Sequence, residues 1–387
     1  MFEHWYSACG NYNTPRIWGL DLPTTTDPNL PATLFEAHGL DVEHAGYAHK
    51  TGDASKFASM KKLFTPEIIR NLQTHSNSRL MIQSSLEYSR VGEEPYSSVY
   101  TWLRAQGVPL DRVIVLTCSD HLREAASAVW PDIEFAVLDW WEYGPRWWHQ
   151  HCEPTASATQ RFTCLNRRPM EWRAALTQRL SVEPAYWDNA VHTIGNRNYH
   201  ATDDDLECRD FMNQGEGYFN DEIEGWWQTW LKFPRREIQL PNSEHFLDDA
   251  VYNAARGGSL NIVTESYPHQ SRHSPTEKTY RCYAVARPHI TLGHYNWNQN
   301  LLDRGYQTYP WDAHYNNLSD PNERMYAVID VILEFANMSN KQFKREMRSV
   351  EHIVQHNHRN WMKRTDAHSV NQRLPAALRA RRATTAT

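Results

Sequence analysis

Short continuous apolar runs alternate with helical patterns along most of the chain, and that alternation constrains the fold more than any other feature. RLMIQSS (79–85), RVIVLT (112–117) and IEFAVLDWW (133–141) are of strand length in the first half. RFTCLN (161–166), SLNIVTES (259–266) and RPHITLG (287–293) play the same part in the second. A strand without polar alternation is buried on both faces, as in a parallel sheet. Helical patterns lie between these runs. They include VYTWLRAQGV, stopped by Gly107, CSDHLREAASAVW, with Ser119 as a cap, and RRPMEWRAALTQRL, with Pro169 in its first turn. TEKTYRCYAVA (276–286) is a further helix. Asp320-Pro321-Asn322-Glu323 has the form of a capping box with proline at the first helical position, and it opens a long helix through about residue 337. Two βαβ-like halves predict an α/β protein of two doubly wound domains facing across a cleft, with ligands beyond the carboxyl ends of the strands.

The polar, small-residue stretch QHCEPTASATQ (150–160) is the best linker. It divides the chain into an N-terminal domain, 1–155, and a second domain, 156–338, followed by a basic helical tail, 339–387, with a disordered end at LRARRATTAT. The tail holds eleven Lys or Arg against Glu346, Glu351 and Asp366, a net +8, which leaves −14 for the rest of a chain whose total is −6. Such a tail suits a polyanion; a solvated helix face is the plain alternative. No run of eighteen apolar residues exists, so no membrane-spanning helix is expected. The acidic, aromatic start MFEHWYSACG is not a secretory signal, and six scattered Cys without a CxxC pair suit reduced thiols in a cytoplasmic protein. Sixteen Trp and nineteen Tyr suit either clefts for polar ligands or ordinary cores. The phosphate-binding P-loop, the dinucleotide fingerprint G-x-G-x-x-G and the hydrolase elbow G-x-S-x-G are all missing, which disfavours the corresponding enzymes.

The most informative segment is 260–294. A strand ends in Glu265, a loop rich in His, Ser and Arg follows, and Thr276-Glu277-Lys278 opens a helix. Free N–H groups at a helix start attract phosphate, Lys278 adds a full charge, and Glu277 suits ribose hydroxyls. The plain alternative is that Thr276 caps the helix and Glu277 complements its dipole. Asp203-Asp204-Asp205 could mimic a metal-binding D-x-D, but no strand leads into it. His352, His356 and His358 form an incomplete metal face, as do His149 and His151 with Cys152, so no metal or other cofactor is expected.

The stretch ES…PTEKTYRCYAVARPHITLG resembles the E-N-S…V-T-E-K…A…G-x-x-P-V…G signature of α-1,3-fucosyltransferases. It is also similar to phage and viral glycosyltransferase-like proteins, which pair it with a strand-turn-helix like RFTCLNRRPMEWRAALTQRL. GYQTYPWDAHYNNLSDPNERMYAVIDVI looks like a later segment of the same proteins. The resemblance covers about residues 80–337 and implies a GT-B architecture, two Rossmann-like domains with a nucleotide-sugar donor in the second. On that footing Glu277 would hold the donor ribose, and Lys278 and Arg173 its diphosphate. Glu265 falls on the family acid, with Ser266 in place of Asn. Asn166, which ends the preceding strand, and Arg168 join Arg173, Glu265, Glu277 and Lys278 as donor-binding candidates; Arg167 and Arg168 have phosphate potential, with a plain surface charge as the alternative.

Inverting transfer also needs a base for the acceptor hydroxyl. Glu87, two residues past RLMIQSS, is the first choice, with Asp139 and Glu142 in VLDWWEYGPRWW behind it. Trp140, Trp141, Trp147 and Trp148 form either a stacking platform or packing. Two acceptors compete: 5-hydroxymethylpyrimidine in phage DNA, favoured by the basic tail, and a saccharide, favoured by the fucosyltransferase likeness. A phage-encoded enzyme of this kind would act in the host cytoplasm. Two further readings are a non-catalytic carbohydrate- or nucleic-acid-binding protein on a transferase scaffold and a metal-dependent transferase using Asp203–Asp205.

Overall fold

The computed structural model describes residues 4–8, 66–74, 78–84, 97–117, 120–137, 139, 141–142, 158–166, 171–194, 249–265 and 275–366. The fold is α/β, built on two four-stranded parallel sheets. The chain divides into two compact units: Met1–Tyr143 together with Arg364–Thr387, and Gly144–Lys363.

The sheet of the first unit consists of β1 (His4–Ala8), β2 (Ser78–Ser84), β3 (Val113–Thr117) and β4 (Glu134–Val137), in that spatial order. The helices described beside it are α1 (Pro66–Thr74), α2 (Ser97–Ala105) and α3 (Asp120–Val129). Val113, Ile114 and Val115 are buried on consecutive positions, so both faces of β3 are covered, as its unbroken apolar run requires. Gly107 stops α2 at φ 73°, a left-handed turn that glycine adopts without a Cβ clash. Tyr100 of α2 packs edge-on against Trp130 at 5.4 Å.

In the second unit the sheet consists of β5 (Gln160–Asn166), β6 (Ala190–Ile194), β7 (Gly258–Thr264) and β8 (His289–Leu292), and the spatial order is β6-β5-β7-β8. The chain goes out from β5 to β6, returns past β5 to β7, and continues to β8. The direction reverses between β5 and β7. Right-handed crossovers then put the connections on opposite faces. On one face α4 (Glu171–Ser181) and α5 (Pro184–Trp187) pack with α9 (Pro321–Asn337). On the other, α6 (Asp249–Gly257) and α7 (Glu277–Ala284) pack together and against β7. The pleat follows suit. Phe162, Cys164, Leu260 and Ile262 enter the core with Leu176, Met325, Ile329 and Ile332, whereas Thr163 and Asn261 hydrogen-bond to carbonyls of α6.

Asp320 accepts from the N–H groups of Asn322 and Glu323 at 2.7 and 2.9 Å, with Pro321 at the first helical position, so α9 starts where its cap predicts. Its far end is held by Arg161 of β5, which donates to the carbonyls of Ala336 and Met338. Beyond α8 (Trp297–Asp303), α10 (Asn340–Ser349) and α11 (Glu351–Arg364) complete the described chain. Phe343, Val350, Ile353 and Val354 are in the same core as the sheet. The stretch set apart as a tail in the sequence therefore contributes side chains to this unit's interior. Asn357 pairs with both the N–H and the carbonyl of Gln307, at 2.7 and 2.9 Å. His356 meets the Gly305 carbonyl at 2.9 Å and His358 that of Tyr283 at 2.8 Å. These two imidazoles bond to backbone, while His352, the third of the set, is exposed. Most described rings are core as well, including Tyr283 stacked on Tyr306 at 4.5 Å and Tyr309 on Trp311 at 4.9 Å.

Gly258, at the start of β7, lies so close to β5 that a Cβ would sit 2.2 Å from Thr163 Oγ1 and 2.8 Å from its Cβ. Gly258→Ala is expected to lower stability by about 1–3 kcal/mol through overpacking, measured by urea unfolding.

Candidate functional site

The carboxyl ends of β5 and β7 meet where the strand order reverses, the position at which α/β sheets open a crevice. Asn166, the last residue of β5, is buried. Its amide oxygen accepts from the Thr264 hydroxyl at the end of β7, and its N–H donates to Thr193 Oγ1 of β6 at 3.2 Å. The strand tips are thus tied side to side. Helix α4 is tied down at its start: Trp172 Nε1 donates to the Glu265 carbonyl at 3.1 Å and Arg173 Nη2 to that of Thr264 at 3.3 Å.

A polar chain runs under Arg173. The Thr177 hydroxyl donates to the Arg173 carbonyl at 2.6 Å. With its proton so placed, Thr177 accepts from His192 Nε2–H at 2.8 Å, which leaves His192 Nδ1 to accept from the Tyr186 hydroxyl at 2.8 Å. Burial pushes the His192 pKa down to about 3, so the ring is neutral.

On the opposite face, Glu265 follows β7 and is buried. Its carboxylate accepts from Thr276 N–H at 3.3 Å, Thr276 Oγ1 at 2.5 Å and Thr279 Oγ1 at 2.6 Å. Burial raises its pKa, while Lys278 and the threonine hydrogen bonds oppose the rise. The first anion at this helix start is therefore the protein's own carboxylate. Thr276 is the N-cap of α7, as its place in the sequence suggests, and accepts from Lys278 N–H at 3.4 Å.

The next turn carries charge. Glu277 is buried and pairs with Lys278 Nζ at 2.9 Å. Burial is the largest influence on Glu277 and pushes its pKa up, but Lys278 and then Arg281 together outweigh it, and the net shift is downward. Its second oxygen, Oε2, has no hydrogen-bond partner among the described residues, nor has Nε of the buried Arg281. Buried polar atoms are rarely left so. A carboxylate acceptor and a guanidinium donor, both buried and unpartnered among the described residues, thus lie four residues apart on one helix, the chemistry that a ligand with hydroxyls and negative charge would complete.

The other sequence candidates fall elsewhere. Glu87, Arg167, Arg168, Ser266 and Asp203–Asp205 lie outside the described residues, as do Trp140, Trp147, Trp148 and the 150–157 linker stretch. Asp139 and Glu142 belong to the first unit. Asp139 is buried and accepts from Trp141 N–H at 3.0 Å, as a cap does. Glu142 is fully buried and accepts from Nε and Nη2 of Arg364, the latter at 3.0 Å. Among the described residues no group of three or more His, Cys, Asp or Glu could hold a metal ion, and no helix is long and apolar enough to cross a membrane. Sequence reasoning passed over Arg281, Thr279, Trp172 and His192. Arg281 alone had a local signal, its four-residue spacing from Glu277. No protein-family model matches the chain, and no curated protein matches it.

A His whose folded pKa lies below its unfolded value adds stability above the unfolded pKa and loses it as pH falls. His192 drops from 6.5 to about 3. Protonating it on unfolding should remove about 2–3 kcal/mol between pH 6.5 and 4.5. Urea unfolding at the two pH values should show a smaller difference in His192→Gln than in the wild type.

Proposed function

We propose that the chain is a glycosyltransferase that moves a sugar from a nucleotide-sugar to a hydroxyl, with inversion and without a metal. In this reading the units adopt a GT-B arrangement, and the second holds the donor at the reversal between β5 and β7. The observation that carries it is Glu277, buried with one carboxylate oxygen unpartnered among the described residues, flanked by Lys278 and Arg281 on the helix after β7. Glu277 accepts from the donor ribose hydroxyls. Lys278 and Arg173 neutralise the diphosphate. Glu265 and Asn166 are positioning residues, since their polar atoms are spent on holding α7 and the strand tips. Arg168, two residues after β5 in the sequence, adds charge.

In the transfer step the acceptor oxygen attacks the anomeric carbon, and the bond from that carbon to the diphosphate oxygen breaks. The nucleoside diphosphate departs with the electron pair, its growing charge met by fixed cations. The acceptor proton passes to a carboxylate. Glu87 is that base in our reading. The alternatives Asp139 and Glu142 are engaged, one as a cap and the other by Arg364.

The acceptor we favour is a 5-hydroxymethylpyrimidine in DNA. Lys341, Lys344, Arg345 and Arg348 of α10 are all exposed and recur at helical spacing on one face, opposite the buried Phe343. That helix spends its apolar face on the core, so its basic face suits phosphate rather than insertion into lipid.

Lys278→Ala should weaken binding of a nucleoside diphosphate about 10- to 100-fold, the value of a charge-assisted hydrogen bond, in a calorimetric titration. Unchanged affinity would remove the site assignment. Glu87→Gln should keep donor affinity and abolish turnover. Replacing the four cations of α10 by Ala should flatten the slope of log affinity for DNA against log salt by about 3–4.

A further inference from the structure

We infer that the cleft lined by α8 and the 308–317 segment is a second binding site, which takes a neutral polyhydroxylated group, a sugar ring. It is a cavity of about 450 Å³ in the second unit, within the range of small-ligand sites. None of its lining residues is charged, and it is rich in amides.

The way the first turn of α8 is satisfied shows why those amides are available. Asn296 occupies the N-cap position of α8 in a left-handed conformation, φ 59° and ψ 30°, and its side chain makes no capping bond. Asn at that position ordinarily caps. Here Asn316 does so from another segment. Its backbone carbonyl accepts from Asn296 N–H at 3.0 Å and its Oδ1 from Asn298 N–H at 2.8 Å. Asn316 is held in turn, its N–H by the Asp312 carbonyl at 2.9 Å and its Nδ2 by Asn317 Oδ1 at 2.9 Å. Asp312 anchors the frame from inside, accepting from Tyr309 N–H and the Tyr315 hydroxyl.

The Asn296 amide, the Asn317 Nδ2 and the Thr308 hydroxyl therefore remain at the cleft on a rigid support. An amide both donates and accepts, as each hydroxyl of a sugar does, so the set matches a polyol without any charge to attract an anion. Leu302, half exposed at 49%, and Pro310 offer apolar contact for the C–H face of a ring. Asn296 and Asn317 are exposed and Thr308 is half-buried, and the three come from separate segments that line one cavity.

This inference does not require the transferase reading. Two sources share the chemistry: the sugar of a nucleotide-sugar, and a free saccharide. Saturation-transfer NMR with glucose, galactose, mannose, fucose and lactose at millimolar concentration tests the site, with glucuronate as the charged control. At least one neutral sugar should bind. Asn296→Gly with Asn317→Ala should weaken it about five- to tenfold, the loss of one or two hydrogen bonds. Gly keeps the left-handed backbone, so the variant should fold, and its nucleoside diphosphate affinity should be unchanged. Displacement by a nucleotide-sugar but not by the nucleoside diphosphate would assign the cleft to the donor's sugar; no displacement by either would assign it to a separate saccharide. The inference is overturned if none of the five neutral sugars binds, if glucuronate binds more tightly than glucose, or if the double variant binds unchanged. Sugar binding without any nucleoside diphosphate binding in the wild-type protein would instead remove the transferase reading and leave this one standing.

Discussion

Glu265 is a carboxylate in a place where water cannot reach it, and the site around it is arranged to meet that demand. An ionised carboxylate without partners in such a place would be costly. Three donors from Thr276 and Thr279 supply the partners, and in doing so they fix the start of α7 against the end of β7. Glu277, Lys278 and Arg281 inherit their positions from that attachment. On the other face, the Trp172 and Arg173 bonds to the carbonyls of Glu265 and Thr264 bring α4 to the same strand end. One strand terminus thus organises helices on both sides of the sheet.

Strands β2–β5, β7 and β8 and several helix starts were readable because their causes are local, whereas β1 and β6 went unread. Parallel strands covered on both faces leave continuous apolar runs, and β3 and β7 are such runs. Asp320-Pro321 and Thr276 announce helices through their own side chains. Glu277 and Lys278 stood out by their place at a helix start. Arg281 looked ordinary, because its significance depends on being buried with no hydrogen-bond partner for Nε among the described residues, a property of packing. The chain from Tyr186 through His192 and Thr177 to Arg173 was equally hidden. Its members lie on three elements, and only the pairing of β5 with β6 brings them together. The helix start itself was misleading in one respect: it invites a phosphate, yet Glu265 takes Thr276's donors. Attraction for a ligand phosphate then falls to the side-chain cations.

Charge in this chain is sorted by position more than by total. The −6 average conceals a basic α10, whose exposed face is cationic while Phe343 fills the interior. The same helix therefore bears on stability and on surface potential at once. Removing everything after residue 338 to study the basic segment would also remove Val350, Ile353 and Val354 from the core, together with the Asn357 clasp on Gln307. Substitution at the exposed cations separates the two roles; truncation confounds them.

The Glu142–Arg364 pair has a consequence in time. Its partners are 222 residues apart in sequence, and both belong to the first unit. The whole of the second unit is spelled out between them, so in terms of connectivity it is an insertion. During synthesis Glu142 emerges 222 residues before its cation. Folding in such a chain proceeds domain by domain as residues appear. The unit that begins first is thus completed last, and the buried carboxylate at its closing seam is paired only after the inserted unit has been delivered.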